Sequence, residues 1–274
     1  MKFSYNWLSN LVEELDVDPK QLGLRITLHT AEQEGVESVG EHLSQVCAAR
    51  VVSVAAIPES KNVKAVVETG RYGTKTVVCG APNCREGIVT AYVPSGCSLG
   101  SKRIEKRTVS GIESDGMLAS GAELGLNRED DGIMELIASP GDSIGGCGPD
   151  HIIEIDNKSL THRPDLWGHH GMAREMAAIL GKKVVDPVDT ALLPAAGGSA
   201  VEVRIEDYAL CPRYSALVFE NVTVQPSPLW LQYRLEAVGL NPINNIVDVT
   251  NYVLAELPQP MHAFDLDTLS GGTI

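Results

Sequence analysis

Three histidines stand close together in Thr161-His162-Arg163-Pro164-Asp165-Leu166-Trp167-Gly168-His169-His170. Imidazoles can ligate a metal ion, but structural zinc sites draw on tetrahedral sets of Cys and His with recognisable spacing. The same stretch reads equally as a capped turn whose His and Asp side chains bond local backbone. The six cysteines, Cys47, Cys79, Cys84, Cys97, Cys147 and Cys211, contain no C-x-x-C pair. Buried free thiols rather than a metal centre are expected of them. The chain has no phosphate-cradling G-x-x-x-x-G-K-[ST] loop, no H-E-x-x-H and no G-x-S-x-G, so local chemistry alone presents no complete catalytic constellation.

Charge suggests a different kind of chemistry. A formal net charge of −14 argues against nucleic-acid binding when taken over the whole chain, because phosphate contacts need Lys and Arg. The charge is unevenly distributed, however. Residues 45–110 hold ten Lys/Arg against four Asp/Glu, whereas residues 111–160 hold two against eleven. A basic stretch inside an acidic chain is a candidate electrostatic footprint for a polyanion. The candidates are Lys102, Arg103, Lys106 and Arg107, with Arg71, Lys75 and Arg85 upstream. The plainer reading is that these side chains keep the surface solvated.

The elements that would carry these residues follow from hydrophobic period and turn chemistry. Trp7, Leu8, Leu11, Val12 and Leu15 recur on one helical face, with Ser4 as a cap. Asp18-Pro19 then opens a second helix, to about Thr30. From residue 46 the period changes to that of strands, over 46–57, 64–71, 74–81 and 87–94, with further candidates at 116–120 and 132–136. Short Val- and Thr-rich strands broken by Gly, Pro and Asn suggest a small barrel of the OB type, a known nucleic-acid platform. Asp165 is expected to cap a helix carrying Met172, Met176 and Ile179 and ending at Gly181. Residues 195–199 read as a linker, and 200–205 and 214–219 as strands. Ser227-Pro228 opens a helix running to Gly239, and Asn244-Asn245 opens another that Pro258 and Pro260 break. The last residues, 271–274, read as the start of a strand with an open edge, which suggests a piece of a longer protein. A hydrophobic content of 43% permits a packed core. No apolar run approaches the roughly 20 residues that span a bilayer, and the start has no signal-peptide core, so a soluble cytoplasmic protein is the default.

Several blocks, in one order, carry a resemblance. Met1-Lys2-Phe3-Ser4-Tyr5-Asn6-Trp7-Leu8, Val77-Val78-Cys79-Gly80-Ala81-Pro82-Asn83-Cys84 and Val109-Ser110-Gly111-Ile112-Glu113-Ser114-Asp115-Gly116-Met117-Leu118 are three of them. Cys211-Pro212-Arg213-Tyr214, the run Asn244-Asn245-Ile246-Val247-Asp248-Val249-Thr250-Asn251-Tyr252-Val253 and Gln259-Pro260-Met261-His262-Ala263-Phe264-Asp265 follow. Together they resemble the β subunit of bacterial phenylalanyl-tRNA synthetases, over essentially the whole chain. The resemblance implies an α+β fold. Residues 1–39 and 152–194 would form a discontinuous N-terminal α/β domain, with a tRNA-binding OB-type β-barrel inserted at 40–151. Residues 200–274 would be the truncated start of an α/β editing domain of the B3/B4 type. It also implies partners: tRNA(Phe) and a catalytic α subunit, in a heterotetramer of two α and two β. ATP and magnesium would belong to the assembled enzyme and none of its cofactors to this chain, which alone would be inactive.

Editing has a physical motive. Tyrosine is phenylalanine plus a hydroxyl, and a hydrophobic pocket rejects such an isostere only weakly. A second pocket can bond that hydroxyl and hydrolyse the mischarged ester, with positioned polar groups stabilising the developing charge. By resemblance, His262 and Asn251 are the candidate pocket residues. Asn241 stands in Gly239-Leu240-Asn241-Pro242 where the family commonly has Arg, so a charge and a fork of donors are absent there. Two further departures are Ile57-Pro58-Glu59-Ser60-Lys61-Asn62-Val63, which lacks the family's His and Asp, and Leu160-Thr161-His162-Arg163-Pro164-Asp165. Two other readings remain open: a stand-alone tRNA-binding module, and a free-standing deacylase of mischarged tRNA.

Overall fold

A computed structural model describes residues 1–144, 146–192 and 201–274. The expected linker at 195–199 lies outside the described residues. The chain opens with a short strand, β1 (Lys2–Ser4), which turns directly into helix α1 (Tyr5–Ser9). Ser4 caps it as expected, its hydroxyl accepting from Trp7 N–H at 3.0 Å. The helix stops at Ser9 rather than continuing to Leu15. Glu13 N–H donates to Lys183 O and Val185 N–H to Leu11 O, both at 2.9 Å, so tertiary pairing takes the backbone groups that a longer helix needs. Leu11 and Val12 stay buried in the turn. Helix α2 (Pro19–His29) begins as the sequence predicts, with the Asp18 carboxylate accepting from Lys20 and Gln21 N–H. Strand β2 (Gln33–Val39) follows. It has few apolar residues to signal it.

The middle of the chain is β-structure. Strands β3 (Cys47–Ala56), β4 (Val63–Glu68), β5 (Thr74–Cys79) and β6 (Val89–Val93) agree with the expected spans to within a few residues. Two small hairpins come next, β7 (Ser98–Leu99) with β8 (Lys102–Arg103) and β9 (Arg107–Val109) with β10 (Ile112–Ser114). Strand β11 (Met117–Ala119) closes the series. Five of these form an antiparallel sheet in the order β11-β6-β3-β4-β5. The sheet is curled. A bulge between Val51 and Ser53 bends β3, and Asp115 N–H, just before β11, donates to Thr76 O on the opposite edge strand at 2.8 Å. Inside it pack Val51, Val67, Val77 and Tyr92, all buried. Residues 132–136, expected as a strand, make single bonds to two different strands, Met134 N–H to Ala119 O and Leu136 N–H to Val89 O. That is contact without a ladder.

Strand β12 (Asp150–Ile155) then returns to the beginning of the chain. It lies between β1 and β2 in a three-stranded antiparallel sheet of order β1-β12-β2. Helix α3 (His169–Leu180) covers it, with Met172 and Met176 in a core shared with Phe3, Trp7, Leu22, Ile26 and Ile153. The helix is capped by Gly168, not Asp165. Asp165 is instead held in a bidentate pair by Arg163, with both contacts at 2.9 Å. A Cβ at Gly168 would lie 2.4 Å from Pro258 Cδ and 2.7 Å from Glu256 O, so a glycine is required where the chain approaches this closely. Gly181 ends α3 in the left-handed region, φ +67°, as expected.

From residue 201 the expected strands do not form. Residues 201–226 form no ladder and are broken by a turn at 207–211, where Cys211 N–H donates to Asp207 O at 3.0 Å, and Glu202 makes one isolated parallel bridge to Thr273. Among the described residues no neighbouring strand offers partners, and Leu210, Leu217 and Phe219 are 85%, 65% and 73% exposed. The final residues likewise contribute only that bridge. Helix α4 (Leu229–Ala237) follows Ser227-Pro228, and α5 (Asn245–Glu256) is capped by Asn244, whose side chain accepts from Ile246 and Val247 N–H at 3.0 Å. The whole is an α+β fold. Among the described residues no helix is long and apolar enough to cross a membrane.

Candidate nucleic-acid interface and the α4–α5 segment

The basic candidates divide into two groups. Lys75 pairs with Asp115 at 2.9 Å, Lys106 with Glu113 at 2.9 Å, and Arg85 with Glu135 through two contacts of 2.8 and 2.7 Å. The hydrogen bond from Lys75 holds the Asp115 carboxyl below its ordinary range, and Arg85 does the same to Glu135. These three cations are thus neutralised within the chain. Arg71 is exposed and donates to Ser44 O at 2.9 Å. Lys102, Arg103 and Arg107 are exposed, and among the described residues none of them pairs with a carboxylate. They sit on the β7–β8 and β9–β10 hairpins. Leu99 and Ile104 anchor this region in the core beneath, and Ile104 N–H donates to Cys97 O at 2.8 Å. Leu99 and Ile104 are thus buried while the neighbouring Lys102 and Arg103 are both exposed.

Helix α5 is fixed to the first sheet by a stack of rings. Trp7 lies between His169, 4.0 Å between centroids, and Tyr252 at 4.4 Å, both nearly parallel. Trp7 Nε1–H donates to Glu256 Oε2 at 2.6 Å, and Tyr252 Oη–H donates to the same oxygen at 3.0 Å. The Arg234 guanidinium lies over both Trp7 and Trp230, 5.7 and 5.5 Å from their ring centroids. His169 is thus a core residue. Its Nε2 accepts from Ser4 N–H at 3.1 Å, so its Nδ1 carries the proton donated to Ala255 O at 2.9 Å. Burial pushes its pKa down to about 4, so the ring is neutral at pH 7. Beside it an open cavity of about 730 Å³ is lined by Trp167, Val238, Leu254 and Pro258 among others.

A second network joins α4, α5 and the residues just after β11. The buried Asp248 carboxylate accepts from Ser227 Oγ at 2.5 Å and Ile243 N–H at 2.8 Å. Gln232 donates to Ser227 O and accepts from Asn127 Nδ2. Asn241 and Asp248 line a polar cavity of about 180 Å³ here. Asn251 is half-buried on α5, while His262 is exposed, its ring 4.5 Å from Phe264. Asn241 lines the smaller of these two cavities, whereas Asn251 and His262 line neither. The ring stack and the Ser227–Asp248 pair escaped sequence reading. Their members are far apart in the chain, and each on its own looks like an ordinary helix residue.

Two family models match the sequence. Residues 46–143 match a putative tRNA binding domain, and residues 210–274 match a B3/4 domain. By sequence, then, the curled sheet falls within the first of these models and the α4–α5 segment within the second. Whole-chain relatives narrow this. The chain is 64% identical over all 274 residues to the phenylalanine–tRNA ligase beta subunit of Solibacter usitatus, and 41% identical over its full length to that of Anaeromyxobacter dehalogenans. Over its whole length it is similar to phenylalanine–tRNA ligase beta subunits. It spans 34% and 35% of those two relatives' lengths, about a third. A solved structure of the CsaA chaperone from Picrophilus torridus overlaps 36% of this chain and 89% of its own at 16% identity, with a TM-score of 0.25.

Proposed function

We propose that this chain supplies a tRNA-binding surface, and part of a site that hydrolyses mischarged Tyr-tRNA(Phe), to a phenylalanine–tRNA ligase. The observation that carries the reading is where the unpaired cations fall. Lys102, Arg103 and Arg107 stand exposed on the unit matched by the tRNA-binding family model, on the β7–β8 and β9–β10 hairpins. In this reading the curled sheet is an OB-type barrel inserted at 40–151, and β1, β2 and β12 belong to one discontinuous domain, 1–39 with 152–194. The partners are tRNA(Phe) and a catalytic α subunit, in an assembly of two α and two β. Residues 200–274 contribute Asn251, His262 and Asn241 to an editing pocket whose remaining walls come from elsewhere in the enzyme. Among the described residues no three His, Cys, Asp or Glu side chains are arranged to hold a metal ion. In this reading ATP and magnesium are assigned to the assembled enzyme.

Salt dependence of tRNA binding tests the first part. Arg71, Lys102, Arg103 and Arg107 allow at most four phosphate contacts, so log K should fall against log salt with a slope of about −3. Equal affinity at low and high salt would rule out this surface. In the complete ligase, the rate of Tyr-tRNA(Phe) deacylation compared between wild type and His262→Ala tests the second part, and identical rates would remove His262 from the mechanism. Phenylalanine charging by this chain alone, measured with ATP and tRNA(Phe), is expected to be nil.

A further inference from the structure

The chain passes between its two sheets at two points that lie side by side. It leaves the three-stranded sheet after Val39, at the end of β2, and returns at Asp150, the start of β12. These two residues are paired in register. Gly40 follows the first crossing and Gly148 precedes the second. Gly40 lies in the left-handed region, φ +70°. The far side of the returning link is firmly held. The buried Asp150 carboxylate accepts from Ser4 Oγ at 2.5 Å and from Asn6 N–H at 3.0 Å, and Asn6 Nδ2 donates to Pro149 O at 2.8 Å.

One side chain reaches both links, and it comes from neither sheet. Tyr233 stands on α4, and its Oη–H donates to Gly148 O at 2.8 Å. A Cβ on Gly40 would lie 2.1 Å from the same phenol oxygen and 2.8 Å from Gly148 O. The phenol thus fills the space between the two links. Its ring is buried in one cluster with Leu43, Val93, Leu99 and Ile104. Leu99 and Ile104 flank the exposed Lys102 and Arg103 in the chain. The same helix grips the residues after β11 a second time. Gln232 Oε1 accepts from Asn127 Nδ2 at 2.8 Å, and Glu236 pairs with Arg128 at 3.3 Å. Toward the three-stranded sheet, Arg234 lies over Trp7 and its Nη1 donates to Tyr252 Oη on α5 at 3.2 Å. Helix α4 therefore touches every unit whose relative placement matters.

We propose that Tyr233 is a positioning residue whose hydroxyl pins the two links and so holds the curled sheet at one angle to the three-stranded sheet and α5. Two adjacent single-chain links, each with a glycine, are the natural place for a hinge. Rotation there carries the cationic hairpins as one body, because the cluster beneath them is close-packed. The phenol closes that hinge from a third element. The angle decides whether one polyanion can lie on Lys102, Arg103 and Arg107 and reach α5 at the same time. That use of the angle rests on the tRNA-binding reading above, whereas the pin itself does not.

Distances between paired spin labels on the full chain, read by pulsed electron paramagnetic resonance, measure the angle. Labels are attached through p-acetylphenylalanine, which leaves the six cysteines untouched. One pair replaces Leu28 on α2 and Glu105 just after β8, both exposed. A second pair, at the exposed Lys61 and Glu105, reports on the curled sheet alone. Tyr233→Phe keeps the ring in its cluster and removes the bond to Gly148 O. The population of displaced Leu28–Glu105 distances should rise about fivefold, the change that loss of one hydrogen bond brings. The Lys61–Glu105 distances should stay as in wild type. Adding tRNA(Phe) should return the variant to the wild-type distribution, because a ligand spanning both units selects the aligned state. An unchanged Leu28–Glu105 distribution in Tyr233→Phe overturns the proposal. Equal broadening of both pairs also overturns it, since that reports a loosened sheet rather than a moved one. A tRNA that binds the variant without restoring the distribution overturns the use of the angle. A wild-type chain that binds no tRNA, with distances that still respond to Tyr233→Phe, upholds the pin and refutes the tRNA-binding reading instead.

Discussion

His169 has both ring nitrogens engaged by backbone groups and a Trp ring stacked on its face. Protonation must break the bond from Ser4 N–H. Its folded pKa of about 4 lies below the ordinary unfolded value of about 6.5. The stability it contributes is therefore complete above the unfolded pKa and is lost as pH falls through the window from 6.5 to 4. The loss should be on the order of 3 kcal/mol. Urea unfolding at pH 7 and pH 4.5 measures it, and His169→Asn should flatten the dependence in that window. Unchanged pH sensitivity in the variant would assign the effect to carboxylates. Asp248 is the second residue of this kind. Replacing it with Ala leaves the buried Ser227 Oγ and the part-buried Ile243 N–H without their acceptor and should cost about 3 kcal/mol, read as a lower urea midpoint. Ser227→Ala leaves the acceptor in place and should cost about 1 kcal/mol.

At the scale of elements, caps and contacts can be tested separately. Asn244→Ala removes the acceptor for Ile246 and Val247 N–H and should cost about 1 kcal/mol in thermal or urea unfolding, with α5 otherwise intact. Trp7→Ala removes the middle of the three-ring stack and should cost about 4 kcal/mol. A loss under 1 kcal/mol would mean that α5 is held chiefly by other contacts. Elements with strong local signals were legible in the sequence. Asp18-Pro19 and Asn244 marked helix starts, Gly181 marked an end, and the Val-rich runs of β3 to β6 were readable as strands. Elements defined by distant partners were not. Strand β2 exists because β12 pairs with it, and α1 stops early because Lys183–Val185 compete for its backbone. The expected strands near 201 and 214 fail for the opposite reason, since the local pattern is present and the partner strands are not. Among the site residues, the cationic cluster was visible as charge. Its division into paired and unpaired cations depended on Asp115, Glu113 and Glu135, whose positions only the fold provides.

For the whole molecule, the net charge of −14 and a polyanion-binding face are compatible because four of the seven basic candidates, Arg71, Lys102, Arg103 and Arg107, are exposed without a carboxylate partner among the described residues. A Lys102→Ala, Arg103→Ala, Arg107→Ala triple variant should reduce the salt slope for tRNA by about 2 to 3. Lys75→Ala and Arg85→Ala should leave it nearly unchanged. Equal slopes in the triple variant and wild type would transfer the contact to another surface. The order β1-β12-β2 also has a consequence in time. A ribosome delivers β1 and β2 early, but their common neighbour β12 begins only at Asp150. At ordinary elongation speeds of about 5–20 residues per second, the roughly 110 residues between β2 and β12 take about 5–20 s to appear. For that interval the first two strands have no mate, while β3 to β11 are already complete and free to close. The nascent chain therefore assembles from its middle outward, and its beginning is the last part of the first sheet to find its place.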